Sequence, residues 1–62
     1  MLLAIDAGNT NIVFAIYRGT QVVAQFRATT KEGRTADEYY AWLAQLMDVQ
    51  GLKAGEIEGA II

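Results

Sequence analysis

The chain alternates between short apolar runs and polar breaks, and the first three runs have the spacing of strands. The run at about residues 1–6 is apolar on both faces, which is typical of a central strand covered on both sides. The run at about 11–17 is rich in β-branched and aromatic residues. The run at about 21–29 alternates between apolar and polar residues, so it predicts a half-exposed strand near the sheet edge.

The second half of the chain has the period of a helix, at about residues 36–50. Thr35 and Glu38 have the spacing of a capping box, in which both side chains bind free N–H groups at a helix start. Gly51 is well placed to end the helix. The apolar stripe consists of Ala36, Tyr40, Leu43 and Met47, widened by Tyr39 and Leu46. Aromatic residues at such spacing belong more often to packing than to a ligand platform, and we interpret three in this way: Tyr39, Tyr40 and Trp42.

A last apolar run begins near residue 59 and predicts a strand at about 59–62, so the order is strand-strand-strand-helix-strand. The compact turn Arg18-Gly19-Thr20 predicts a hairpin between the second and third strands. A helical crossover usually joins parallel strands in a right-handed sense. The predicted fold class is therefore α/β, with a mixed sheet covered by helices.

The chain has 62 residues, which is one domain at most, and it contains no cysteine and no histidine. A disulfide is excluded, and a structural zinc site is disfavoured. Domains of this size bury only about 60% of the surface that the unfolded chain exposes. Yet 53% of the residues are apolar or aromatic. This surplus, with the apolar run Gly59–Ile62, leads us to expect the N-terminal fragment of a longer polypeptide, which in isolation aggregates or is partly molten.

The charge pattern argues against two classes of partner. Five Lys and Arg stand against seven Asp and Glu, giving a dispersed net charge of −2, whereas nucleic acids and anionic membranes need a basic patch. No segment approaches the roughly 18 uninterrupted apolar residues of a membrane span. The start, Met1–Ile5, lacks the basic region of a signal peptide, and Asp6 ends it too soon. We expect a cytoplasmic protein with no nucleic-acid or membrane partner.

The stretch Asp6–Asn11, DAGNTN, follows the first predicted strand and has the composition of a phosphate-binding turn. Gly8 allows a positive φ and a close approach of an anion to the backbone. Asn9, Thr10 and Asn11 add side-chain donors to their own N–H groups. Asp6 would repel a phosphate, so we interpret it as a ligand of Mg²⁺, directly or through water. The alternative is a purely local hairpin loop, because Asp, Gly, Asn and Thr also favour turns.

The Asp-x-Gly-x-Thr pattern resembles the first phosphate motif of the actin, hexokinase and Hsp70 superfamily of ATP-binding folds. The longer string MLLAIDAGNTNIV, Met1–Val13, resembles the N-terminus of the type III pantothenate kinases. A second block, Arg34–Tyr39, is similar to the start of the first helix in that family. The resemblance extends over all 62 residues, which would be about the first quarter of a family member.

The resemblance implies a ribonuclease H-like mixed sheet, as the truncated N-terminal part of an actin-like ATPase domain, with the rest of that domain and a second domain absent. It implies transfer of the γ-phosphoryl of ATP to pantothenate, giving 4'-phosphopantothenate in the first step of coenzyme A biosynthesis. It also implies a homodimer, Mg²⁺ and a monovalent cation, K⁺ or NH₄⁺. By position, Asp6 would bind the metal, and four residues would hold the ATP phosphates: Gly8, Asn9, Thr10 and Asn11.

The family's general base, an aspartate in a later segment, is absent from these 62 residues, so we expect no catalytic residue here and no kinase activity from the chain alone. Asp37 and Asp48 do not replace it, because the helix start and its solvent face explain them. Two alternatives stay open. One is another small-molecule kinase of the same superfamily, and the other is a non-catalytic accessory or regulatory protein that keeps the fold.

Overall fold

A four-stranded sheet and one α-helix make up the computed structural model, which describes residues 1–62. The strands are β1 (Leu2–Ala7), β2 (Asn11–Arg18), β3 (Gln21–Thr29) and β4 (Gly59–Ile61). In the chain, the helix α1 (Ala36–Val49) follows β3, and a single turn of 3₁₀ helix at Ala54–Glu56 precedes β4. The chain is thus α/β, and its strands and helix occur in the predicted order.

The strands lie in the order β3-β2-β1-β4, and the sheet is mixed. β1 and β2 form an antiparallel hairpin in which Leu2 pairs with Tyr17 and Ala7 with Ile12. β3 continues it as a second antiparallel pair, with a bulge between Ile16 and Tyr17. β4 returns parallel to β1 after the helical crossover. The predicted parallel return and the edge position of β3 are both confirmed.

The core lies between one face of the sheet and α1. Side chains alternate across a strand, and every second residue of β2 is accordingly buried: Ile12, Phe14 and Ile16. From the helix, Leu43 and Met47 are buried against them, and Met47 is 0% exposed. Burying such a side chain contributes roughly 1.5–3 kcal/mol to folding. This contact fixes α1 on the sheet.

The opposite face of the sheet carries no helix from residues 1–62. The apolar residues on both faces of the first run led us to expect cover on both sides. In the structure Leu3 is buried beneath α1, whereas its neighbour Leu2 is 40% exposed on the other face. Ile61 of the edge strand β4 is also exposed. The prediction of a sheet covered by helices therefore holds for one face only.

The helix begins and ends with the predicted signals. The N–H of Glu38 donates to Oγ1 of Thr35 at 3.2 Å, and the N–H of Thr35 donates to Oε1 of Glu38 at 3.1 Å, which completes the capping box. After the last helical turn Gly51 has a φ of +78°. Its neighbour Leu52 donates its N–H to the carbonyl of Met47 at 2.8 Å, so the chain closes the helix in a Schellman motif.

The aromatic residues of α1 divide into packing residues and one exposed residue. The ring centroid of Phe14 lies 5.5 Å from that of Trp42 and 6.4 Å from that of Tyr39, distances at which aromatic pairs attract. The predicted packing role is confirmed for these two helix residues. It is wrong for Tyr40, which is 56% exposed. The buried stripe of the helix is centred on Leu43 and Met47, and Tyr40 lies at its margin.

Candidate functional site

The donor-rich loop predicted from the sequence connects β1 to β2. β1 ends at Ala7, β2 begins at Asn11, and the residues between them form a bend. The N–H of Gly8 donates to the carbonyl of Asn11 at 2.9 Å and closes the loop. Every predicted site residue is exposed: Asp6, Gly8, Asn9, Thr10 and Asn11. The structure therefore brings all five to one end of the sheet.

Gly8 is required by close backbone contact and not by a positive φ. The glycines with positive φ are Gly19, Gly33 and Gly51, so the expectation of a positive φ at Gly8 is wrong. A Cβ at position 8 would lie 3.1 Å from the carbonyl oxygen of Asn11, the same oxygen that accepts the hydrogen bond from Gly8. This distance is tighter than ordinary van der Waals contact. A side chain at position 8 would push the two arms of the loop apart.

Thr30, the first residue after β3, fastens the loop from its side. Its Oγ1 donates to the carbonyl of Gly8 at 2.9 Å, and its N–H donates to the carbonyl of Thr10 at 2.9 Å. No sequence pattern pointed to Thr30, which lies in a polar stretch after the third predicted strand. The signal was present in the topology, because an antiparallel three-strand meander places the end of β3 beside the start of β2, where Thr29 pairs with Asn11.

Two consecutive N–H groups at the tip of the loop are free. The hydrogen bonds within the chain include none in which the N–H of Asn9 or Thr10 is the donor. The side chains of Asn9, Thr10 and Asn11 also make none of the side-chain hydrogen bonds. Adjacent free N–H groups in a bend form a concavity that suits an anion. The loop can therefore offer both backbone and side-chain donors to a phosphate.

Asp6 is the carboxylate of this site. It pairs with Val13 across the β1–β2 hairpin, two residues before Gly8 in the chain, and its carboxylate makes no ion pair within the chain. The structure contains no cluster of three or more acidic, histidine or cysteine residues that could hold a metal alone. A single free carboxylate two residues before a set of hydrogen-bond donors is compatible with Mg²⁺, which is commonly held by one or two carboxylates together with substrate phosphates.

The segment between β3 and α1 is held close to the helix start. The N–H of Lys31 donates to the hydroxyl of Tyr39 at 3.2 Å, and the guanidinium of Arg34 lies 5.0 Å from the centroid of the Tyr39 ring. Hydrogen bonds from the backbone and side chain of Thr35 hold the pKa of the Glu38 carboxyl below its ordinary value of 4.5. Thr30 is thus followed by an anchored segment, which limits the freedom of the residue that fastens the loop.

The largest cleft in the structure lies elsewhere. It has a volume of about 600 Å³ and is located at the opposite end of the sheet, where its lining includes Met1, Tyr17, Arg18 and Glu56. A second hollow of about 250 Å³, between β1 and α1, is lined only by apolar residues such as Ile5 and Tyr40. Neither hollow includes Asp6 or the loop tip. The loop is therefore an open surface site, and what it can offer a ligand is its free hydrogen-bond donors.

These features define a mixed α/β sheet with a donor-rich loop between its first two strands. A sequence model of the type III pantothenate kinases matches residues 2–62. The chain therefore belongs to the type III pantothenate kinase family.

Curated relatives agree with this assignment over the whole chain. The chain is similar to the type III pantothenate kinases of Sphingopyxis alaskensis, at 52% identity, and of Rhodospirillum rubrum, at 55%, in both cases over all 62 residues and 24% of the relative. It is 58% identical to that of Gluconobacter oxydans, again over the whole chain and 23% of the relative. The chain thus spans about a quarter of the length of these relatives.

The helix α1 is short. With 14 residues, it is shorter than a bilayer-spanning helix, and no helix in the structure combines the length and the apolar character needed to span a bilayer.

Proposed function

We propose that this chain is the N-terminal part of a kinase that transfers the γ-phosphoryl of ATP to pantothenate, and that the loop at Asp6–Asn11 holds the ATP phosphates. The observation that carries the proposal is the pair of free N–H groups on Asn9 and Thr10, in a loop whose carbonyl groups at Gly8, Thr10 and Asn11 already accept hydrogen bonds. Membership of the type III pantothenate kinase family supports the substrate.

In this proposal each loop residue has a separate task. The N–H groups of Asn9 and Thr10 and the side chains from Asn9 to Asn11 bind phosphate oxygens, while Gly8 keeps the backbone close enough for that contact. Asp6 holds Mg²⁺, which when bound supplies positive charge to the phosphate oxygens. Phosphoryl transfer depends mainly on positioning and charge stabilisation, so such a loop contributes without forming a covalent bond.

The remaining parts of the proposal rest on the family resemblance. They are a ribonuclease H-like, actin-like ATPase domain, a second domain, a homodimer, a monovalent cation (K⁺ or NH₄⁺) and a cytoplasmic location. The exposed apolar face of the sheet, with Leu2 and Ile61, supports the idea of further chain packing there. The general base of the reaction would come from a segment beyond residue 62.

The test is the production of ADP from ATP by the purified full-length protein, with and without pantothenate. We expect ADP production that depends on pantothenate and Mg²⁺, and none from the 62-residue chain assayed alone. ATP turnover that is indifferent to pantothenate would favour another kinase of the superfamily. Absence of ATP binding by the full-length protein would overturn the proposal, and pantothenate-dependent activity of the 62-residue chain would refute its predicted inactivity.

A further inference from the structure

Thr30 donates hydrogen bonds to two carbonyl groups of the loop, and the bond to Gly8 also determines where the N–H of the same peptide group points. In a trans peptide, the carbonyl oxygen of one residue and the N–H of the next point in opposite directions. The carbonyl of Gly8, which accepts from Oγ1 of Thr30 at 2.9 Å, belongs to the same peptide group as the N–H of Asn9. The Thr30 hydroxyl thereby directs the free N–H of Asn9 away from β3 and toward solvent.

The second bond prevents the loop from turning about the first. The N–H of Thr30 donates to the carbonyl of Thr10 at 2.9 Å, one residue beyond Asn9. The peptide that carries the Asn9 N–H is therefore bounded by two fixed points, at Gly8 and at Thr10. Thr30 is itself half-buried and follows directly on a paired strand, so its position is set by the sheet.

We propose that Thr30 is a positioning residue for ATP: its hydroxyl orients the Gly8–Asn9 peptide so that the N–H of Asn9 meets a phosphate oxygen. This inference rests on the proposed phosphate role of the loop. Thr30 makes no contact with ATP in this proposal and acts only through the peptide that it holds. A hydrogen-bond donor that is already oriented loses less conformational entropy when ATP binds, so Thr30 affects the affinity for ATP.

The test uses the full-length protein and compares hydroxyl-free with hydroxyl-bearing variants. Thr30→Val keeps the β-branched shape and the backbone N–H but removes Oγ1, whereas Thr30→Ser keeps a hydroxyl. Thr29→Val is the matched control, since Thr29 is exposed and its side chain makes no hydrogen bond. The measured quantities are the KM for ATP, the KM for pantothenate, kcat, and the affinity for a nonhydrolysable ATP analogue.

We expect Thr30→Val to raise the KM for ATP and weaken analogue binding about 3- to 10-fold, the loss of roughly one hydrogen bond. Thr30→Ser and Thr29→Val should stay within about 2-fold of the parent protein, and the KM for pantothenate should not change. Thr30→Ala carries the same expectation as Thr30→Val, so a folding defect specific to valine does not remove the test.

Three outcomes would overturn the inference. One is an unchanged ATP affinity in both hydroxyl-free variants, and another is a serine variant as weak as the valine variant. The third is an equal rise in both KM values, which would indicate a general structural defect. Failure of the proposed function is seen separately, because the parent protein would then bind no ATP analogue.

Discussion

The two ends of the sheet both contain a short hairpin connection, but they use it differently. The loop end contains the connection from β1 to β2 together with Thr30 and the start of α1. The turn end contains the connection from β2 to β3 together with Met1 and the 3₁₀ helix. Gly19, at the turn end, has a φ of +63° and open space where a Cβ would be. Gly8, at the loop end, has no positive φ but is crowded by Asn11.

The polar groups at the turn end bind one another. The ammonium group of Met1 donates to the carbonyl of Glu56 at 2.8 Å and lies 3.7 Å from Oε1 of Glu58. The N–H of Glu58 in turn donates to the carbonyl of Met1. At the loop end three carbonyl groups, those of Gly8, Thr10 and Asn11, accept hydrogen bonds, but the N–H groups of Asn9 and Thr10 stay free. One glycine serves chain reversal, and the other serves a surface that presents donors.

The largest effect should come from removing the carboxylate of the loop end. Asp6→Asn in the full-length protein keeps the side-chain size and removes the charge proposed to hold Mg²⁺. We expect kcat/KM for ATP to fall about 10²- to 10³-fold, as for loss of one charge-stabilising group. Glu58→Gln is the control, an exposed carboxylate at the turn end, and it should stay within about 2-fold. Normal ATP turnover by Asp6→Asn would remove Asp6 from the metal role.

The two glycines should separate into a binding defect and a stability defect. Gly8→Ala forces a Cβ against the carbonyl of Asn11, so we expect the KM for ATP to rise about 5- to 10-fold as the loop opens. Gly19→Ala meets no atom but must adopt a positive φ, so it should lower the free energy of unfolding by about 1–2 kcal/mol and leave the KM for ATP unchanged. Steady-state kinetics and denaturant unfolding of both variants test this. If both variants changed the KM for ATP and the free energy of unfolding in the same way, the two ends of the sheet would not have the different roles described above.

Local patterns predicted most of the fold because each depends on near neighbours in the chain. The capping box at Thr35 and Glu38, the glycine at position 51 and the alternation of β2 are all of this kind. The role of Thr30 could not be obtained in this way, since it depends on a contact between residues 22 positions apart. Tyr40 was misplaced because a helical stripe gives a face but not the angle at which the helix rests on the sheet. The reason for glycine at position 8 was also wrong, since turn propensity does not distinguish a positive φ from a close contact.

A smaller effect concerns the pH dependence of the helix start at the loop end. Hydrogen bonds from Thr35 lower the pKa of Glu38 in the folded chain, so the ionised carboxylate is favoured by folding. The stabilisation is therefore present above the unfolded pKa of about 4.5 and is lost as the pH falls through the lower, folded pKa. We expect Glu38→Gln to lower the thermal midpoint at pH 7, and the difference from the parent protein to shrink as the pH falls below 4.5. Glu32→Gln is the control: it removes a carboxylate that takes no part in the helix cap, so it should change the thermal midpoint little over the same pH range. A difference for Glu38→Gln that keeps its size as the pH falls would contradict this origin.

The smallest effect should come from replacing Arg18, and a small effect there would be informative. Arg18 lines the largest cleft in the structure, and a guanidinium in a cleft would suit an anionic ligand such as ATP. Its Nη2, however, lies 3.5 Å from the Met1 sulfur, a weak acceptor, and the side chain is exposed. Arg18→Ala in the full-length protein should change the free energy of unfolding by less than about 0.5 kcal/mol and leave the KM for ATP unchanged. A rise in the KM for ATP as large as that expected for Gly8→Ala would contradict this expectation. Because a charge at the turn end can contact ATP only if the nucleotide extends to it, such a rise would mean that both ends of the sheet take part in ATP binding.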